Sequence, residues 1–453
     1  MGIFKKNEID MVNGPLFSNI VRYTLPLIVT SILQLLFNAA DLIVVGRFCG
    51  SACIAAVGAT GSLTTLFVNE FIALSHGVSV GVARGIGAKD DDAVQRMVHT
   101  AIPVAFFAGV TISVLGITFC RTFLVWMDTP KLILDLSVKY MSIYFCGMIP
   151  NMVFNFSAAV LRASGDTKSP FIYLTTAGAV NVVLNVFFVT VFKMDVDGVA
   201  FATVVSQTIS AILVLRKLIK RDDACKLMIK KVRFYRDEFR LILKIGIPSG
   251  IQAMTFSISN VMVQRALNSF DSATIIAGNS AASNIENFLY GAMHAFYTTG
   301  INFTSQNVGA KNTKRIPKIL KTCVLTMSAM AIVVGVSMRL AGYPLLSIYI
   351  KDDPDAIAFG LIRLTIVGMP YFICGIMDTL TGCIRGMGSA VMPMFISIAT
   401  VCGLRLLWIF TIFRYFHTIE MLYYSYPLSW ILCDIFQFIS FIVVYKKLKK
   451  QLI

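Results

Sequence analysis

Residues 26–47, PLIVTSILQLLFNAADLIVVGR, form an apolar run broken only by a few polar side chains and closed by one arginine. A helix that crosses a hydrocarbon core of about 30 Å takes ~20 mostly apolar residues, so this run reads as a membrane span. Its polar residues are not scattered. Gln34, Asn38 and Asp41 stand at i, i+4 and i+7, which puts them on one helical face. An ionisable group inside hydrocarbon is costly and marks a functional position. Asp41 is therefore the first candidate residue; an interfacial pair with Arg47 is the bland alternative.

Outward from this run the same pattern recurs. Spans are expected near 18–45, 53–82, 97–120, 132–160, 170–192, 197–217, 241–268, 275–303, 317–343, 356–384, 390–412 and 422–446. Hydrophobic residues make up 57% of the 453 and charged residues 14%, against about a quarter charged in soluble domains. Mean hydropathy is +0.76. The chain reads as an all-α integral membrane protein with no room for a separate soluble domain. Breaks fall at Gly46 and Gly50, Asp128-Thr129-Pro130, Asp195-Val196-Asp197-Gly198 and Lys351-Asp352-Asp353-Pro354, all turn-forming residue types. The first span is too long for a signal peptide and lacks a small-residue cleavage site, so it is expected to be retained.

The formal charge of +16 sits in particular loops. Arg84, Lys89 and Arg96 follow the second span, Arg162 and Lys168 the fourth, and Lys311, Lys314, Arg315 and Lys318 the eighth. Ten basic residues crowd the central loop between Arg216 and Arg240, and four lysines close the chain after the twelfth span. Basic residues concentrate in cytoplasmic loops. Both termini, which include Lys5 and Lys6, and the central loop are therefore expected to face the cytoplasm of a cell whose plasma membrane the chain crosses many times. Membrane topology accounts for the charge, and nucleic acid is not an expected partner.

Displacing the sequence by 222 lays Pro26 on Pro248, Asn38 on Asn260, Ile54-Ala55 on Ile276-Ala277 and Gly87-Ala88-Lys89 on Gly309-Ala310-Lys311. One further residue of displacement lays Arg162 on Arg385, Gly165 on Gly388 and Pro170 on Pro393. The chain thus divides into two six-helix repeats, residues 1–217 and 241–453, joined by a basic cytoplasmic linker at 218–240. Transporters are commonly built so, with the binding site near the bilayer midplane and one half rocking against the other.

Further polar residues share faces inside the spans. Asn181 and Asn185 are four apart, Thr203 and Gln207 likewise, and Asn151 and Asn155 likewise. In the second half, Asn279, Ser283, Glu286 and Tyr290 form one stripe, and Tyr371, Cys374, Asp378, Thr381 and Arg385 another. Asp378 falls on Asn155 in the repeat. Carboxylate, amide and hydroxyl oxygens suit a small hard cation such as sodium, and Asp41 could equally take a proton. Arg405 lies within the eleventh span and is expected to hold the lobe together by a salt bridge to Asp378 or Glu286.

Other chemistries find little support. Ten cysteines show no two-residue spacing, so neither zinc nor thioredoxin-type chemistry is indicated; buried free thiols are expected. The acid run Asp90-Asp91-Asp92 starts a helix, where acids favour the dipole, and Asp352-Asp353 is expected in a loop. No nucleotide motif appears, which points to secondary transport without a resident cofactor. The 21 methionines and 34 phenylalanines suit lipid-facing and packing positions, with some lining an adaptable cavity.

The stretch from Pro26 to Lys89 (PLIVTSILQLLFNAADLIVVGR, IAAVGATG, GVSVGVARGIGAK) resembles the start of a multidrug and toxic compound extrusion (MATE) transporter. IAGNSAASNIENF at 276–288, FTSQNVGAK at 303–311, LRASGDTKSP at 161–170 and GVAFATVVSQ at 198–207 resemble it too. The resemblance implies two six-helix lobes in a V shape, a monomer, and export of small organic or amphipathic cations driven by sodium or proton entry. It implies a coupling site at Asp41, Asn181, Asn185 and Thr203, with any sodium at Asp41, Asn181 and Asn185. Position 185, often Asp in the family, is Asn here, so one carboxylate is missing. The seventh-span Glu of some members is missing as well, near Phe256 and Ser257. Gln34, Asn38, Asn155, Glu286, Tyr290 and Asp378 are the candidate substrate residues. The rival reading, a flippase for a lipid-linked saccharide precursor, calls for a cavity rich in Arg and Lys, whereas embedded basic residues look few beyond Arg405. A membrane enzyme would need a catalytic cluster that is not found, and a scaffold would not explain embedded acids.

Overall fold

Each expected span becomes a helix or a broken pair of helices. The computed structural model describes residues 8–127, 129–351 and 353–452; Lys5, Lys6, Asp128 and Asp352 lie outside them. The first repeat holds α1 (Leu16–Phe48), α2 (Ser51–Ile72), α3 (Ser75–Ala88), α4 (Asp91–Trp126), α5 (Lys131–Cys146), α6 (Met148–Ala163), α7 (Lys168–Thr190) and α8 (Val196–Ile219). The second holds α9 (Arg236–Asn268), α10 (Ala273–Gly309), α11 (Ile316–Leu340), α12 (Gly342–Ser347), α13 (Pro354–Arg363), α14 (Tyr371–Gly386), α15 (Val391–Ser397), α16 (Leu404–Phe410), α17 (Ile412–Tyr415) and α18 (Ile419–Leu452). Among the described residues, nine helices are long and apolar enough to cross a membrane, or eleven if each of two bent pairs is one span. The twelfth expected tract is α10, 37 residues long but dotted with polar side chains.

The backbone keeps the repeat that the sequence shows. The bent pairs are α5 with α6, at 45°, and α13 with α14, at 40°, and a displacement of 223 maps one pair's ends onto the other's. Gly165 and Gly388 both have φ of +94°, and Lys89 and Lys311 are left-handed at 57° and 55°. Side chains with a Cβ resist such values, so the two glycines occupy positions that demand them. Asp90 caps α4, accepting from the Ala93 N–H at 2.9 Å, and Asp91 and Asp92 fill its first turn. Asp353, expected in a loop, instead caps α13 by accepting from the Ala356 N–H at 3.0 Å; Pro354 at the first helical position favours that start.

The residues group into two compact units. One comprises Ile32–Gly250 with residues 8–10, the other Met11–Ser31 with residues 251–452. These bounds differ from the expected lobes. The 33-residue helices α1 and α9, each with an internal proline (Pro26 and Pro248), contribute their two ends to different units. In the second unit the start of α1 is fixed on α10, where Thr24 and Thr299 hydroxyls bond at 2.8 Å and the Asn302 amide donates to the Tyr23 hydroxyl at 2.9 Å.

The expected linker is a packed cap on the first unit. Buried Arg221 binds Glu8 and Asp223, and Cys225 and Leu227 are buried. Burial pushes the Cys225 thiol up to about 12, which leaves it protonated and unreactive.

Candidate ion and substrate sites

In the first unit, the asparagine stripe of α7 turns inward because its other face is apolar. Asn181 and Asn185 are buried there. Asn185 donates to Asp41 at 2.5 Å and to the Asn181 carbonyl at 3.1 Å. The Asn181 amide reaches the Thr203 hydroxyl at 3.3 Å. In the opposite amide orientation those two contacts are replaced: the Asn181 nitrogen donates to Asp41 at 2.7 Å and its oxygen accepts from the Thr203 N–H at 3.3 Å. All four expected coupling residues therefore meet. Among the described residues Asp41 has no ion pair, with Arg47 or any other cation, and the buried Asn185 carbonyl oxygen has no hydrogen-bond partner. Carboxylate, amide and hydroxyl oxygens are the ligand types of a small hard cation, and a proton on Asp41 would satisfy the carboxylate too. Among the described residues no three His, Cys, Asp or Glu side chains are grouped so that they could hold a metal ion.

The other first-half candidates stand apart. Gln34 and Asn38 lie on the exposed side of α1. Asn155 is half-buried in α6 and donates to the Asn151 backbone and side-chain oxygens, both at 2.9 Å.

In the second unit Glu286 is 2% exposed and is neutralised by Arg363, which donates to it at 2.7 and 3.1 Å. Arg363 also donates to the Asn279 carbonyl at 2.7 Å, which the Tyr423 hydroxyl reaches at 3.1 Å. The guanidinium lies 5.5 and 5.4 Å from the Tyr423 and Tyr426 rings. A cavity of about 160 Å³ opens here beside Ser283, Asn260 and Tyr371. The close approach of α10 to α13 depends on Gly278, where a Cβ would lie 2.3 Å from the Ala356 carbonyl oxygen. Gly278→Val is expected to cost about 1–3 kcal/mol, as overpacking does. Thermal unfolding in detergent measures it, and an unchanged midpoint would deny the contact.

Asp378 occupies a second environment. His294 Nδ1 is 3.4 Å from it, and the carboxylate of Asp434 on α18 is its electrostatic neighbour. His294 stacks on Tyr297 at 4.9 Å. Tyr297 binds Arg385, which donates to Gln252 at 2.6 Å. Tyr290 is partly exposed, its ring 5.7 Å from that of His294.

Arg405 does not form the expected salt bridge with Asp378 or Glu286. It donates to Ser429 at 3.0 Å and Ser259 at 3.4 Å and lies 4.2 Å from the Tyr426 ring. Hydroxyl and cation–π contacts thus hold the guanidinium in place of the expected carboxylate. Embedded basic residues also outnumber the expectation, since Arg363, Arg385 and Arg405 are all buried. Arg363, Asp434 and His294 escaped the reading of the sequence; the signal available was a charge or imidazole inside an expected span.

The MatE family profile matches residues 26–213 and 248–411. The chain belongs to the MatE family. MATE proteins are transporters, so the chain is a multi-pass membrane transporter and not an enzyme. It is similar to the probable multidrug resistance protein YoeA of Bacillus subtilis, 27% identical over 396 residues and 84% of each chain. The same organism's probable multidrug resistance protein YpnP is 24% identical over 87% of this chain and 88% of its own. A multidrug resistance MATE family transporter of the MOP superfamily, solved in the outward-facing conformation, shares the fold with a TM-score of 0.91. That match has 18% identity and covers 98% of this chain and 99% of that one.

Proposed function

We propose that this MATE transporter exports small organic cations as a monomer, driven by entry of protons or sodium ions, with its basic loops and both termini in the cytoplasm. The observation that carries the reading is Asp41, an embedded carboxylate held at 2.5 Å by a neutral amide with no cationic partner among the described residues. An acid so placed gains by taking up a proton or monovalent cation and releases it when access changes. Asn181, Asn185 and Thr203 complete that site. In the second half the drug's positive charge is met at Asp378, with Tyr290 beside it, because Arg363 already balances Glu286. Gln34, Asn38 and Asn155 add polar contacts along the drug's path. The names of the relatives, probable multidrug resistance proteins, support a broad substrate range.

The test is ethidium efflux from proteoliposomes under an imposed proton or sodium gradient. Efflux driven by one gradient and not the other names the coupling ion. No movement under either, with intact protein, overturns the reading. The buried arginines at 363, 385 and 405 favour a second one, export of an anionic substrate such as a lipid-linked saccharide. A fluorescent organic anion in the same vesicles separates the two.

A further inference from the structure

The packed cap of the first unit leaves an open cleft of about 430 Å³ against the start of α4, lined by Arg96, His99, Lys230, Lys231, Arg233 and Tyr235. Its walls are fixed. The Met228 N–H donates to His99 Nε2 at 3.0 Å and the Tyr235 N–H to the Thr100 hydroxyl at 3.2 Å. His99 Nδ1 lies 2.5 Å from the Gln95 carbonyl, so the ring is the neutral tautomer with its proton on Nδ1.

The charges in this cleft are unbalanced. Arg96 is committed to Glu238 at 2.7 Å, and Asp92 is the one acid in the lining. Lys230, Lys231 and Arg233 are exposed, and among the described residues none of the three has an ion pair. Arg233 is held 4.4 Å over the Tyr235 ring, which keeps its guanidinium at the cleft. Three positive charges thus face an opening with room for a phosphate-sized group.

Beside the cleft lies an apolar shelf. Phe106 and Phe107 of α4 and Phe234 of the cap are all about half exposed, and the Phe107 and Phe234 rings are 5.7 Å apart. Arg96, Thr100 and Phe107 share one stripe of α4. Phe107 lies eight residues beyond His99, about 12 Å further along the helix axis, so the shelf continues the cleft along α4. A soluble phosphate would account for the cations and leave the shelf unused. Charge above an apolar wall is the complement of a phospholipid.

We propose that this cleft binds the headgroup of an anionic phospholipid of the leaflet that the basic cap faces, with an acyl chain lying along Phe107 and Phe234. The inference rests on the cytoplasmic placement of the cap proposed above. Its readout is binding, so it stands or falls separately from the transport reading.

The test is native mass spectrometry of the full-length protein with dioleoyl phosphatidylglycerol, with phosphatidylcholine and with soluble glycerol 1-phosphate. The parent is expected to retain phosphatidylglycerol over phosphatidylcholine, with a preference that fades in high salt. K230Q/K231Q/R233Q is expected to weaken that retention by roughly a hundredfold, about fivefold for each basic residue near a membrane surface. Phe107→Ala should weaken phosphatidylglycerol retention and leave glycerol phosphate binding unchanged. Equal retention of the two lipids by the parent would overturn the proposal. So would full retention by the triple variant, or glycerol phosphate displacing the lipid at equal concentration.

Discussion

Asp41→Asn is expected to leave the fold intact and to lower gradient-driven ethidium efflux by about a hundredfold, within the usual range of coupling between linked sites. The substituted side chain keeps its size and an oxygen that accepts from Asn185, now at 2.5 Å from the carboxylate. What it loses is the charge. A neutral amide cannot take up a proton at accessible pH, and it gives sodium no anionic ligand. Thr203 and the two asparagines supply only neutral oxygens. Drug binding at Asp378 should survive, so equilibrium ethidium binding by the variant separates lost coupling from lost protein. The complementary variant, Asn185→Asp, restores a second carboxylate beside the first and is expected to raise the number of ions moved per drug. Undiminished efflux by Asp41→Asn would move coupling to the second unit, where Asp378 and Asp434 are electrostatic neighbours.

Arg363→Leu is expected to destabilise the protein by about 3–5 kcal/mol, the cost of stripping one partner from a buried ion pair. Glu286 is 2% exposed and Arg363 7%, so solvent makes up for little of the lost guanidinium. The substitution also removes the donor to Asn279 at 2.7 Å. Adding Glu286→Gln removes the stranded charge and is expected to recover much of the loss, because a neutral pair needs no counter-ion. Unfolding midpoints in detergent for the single and double variants measure both effects. A single variant as stable as the parent would mean that Glu286 is protonated or hydrated in the folded protein. It would then be free to meet a cationic drug, the role that its place on a polar stripe suggests.

Much of the proposed ion site was legible in the sequence. The face of α1 that holds Asp41 and the face of α7 that holds Asn181 and Asn185 could be read because helix periodicity is local, and Thr203 joined them through the family resemblance. The substrate candidates were less legible. In sequence Glu286 reads as a substrate acid or a partner of Arg405, and its actual partner Arg363 lies 77 positions away, at the end of a different helix. Arg363 is succeeded by the π-helical turn Leu364–Gly368, and Arg405 is preceded by another at Ile398–Gly403. Each such turn offsets the register of the residues beyond it, so a 3.6-residue count carried through it assigns later side chains to the wrong face.

Apolar run length, the distribution of basic residues and the register of the repeat were enough to specify an all-helical membrane protein of two related halves. These are local or additive properties, written wherever a span must match the bilayer. Pairing was settled only by the packed helices. Asp41 meets Asn185 across 144 residues, Arg405 is met by hydroxyls and rings in place of a carboxylate, and the basic stretch after α8 folds into a cap. Partner choice depends on which faces helices present after bends, π turns and close glycine contacts have set their rotation. That information belongs to the assembled bundle, since no single span contains both members of a pair.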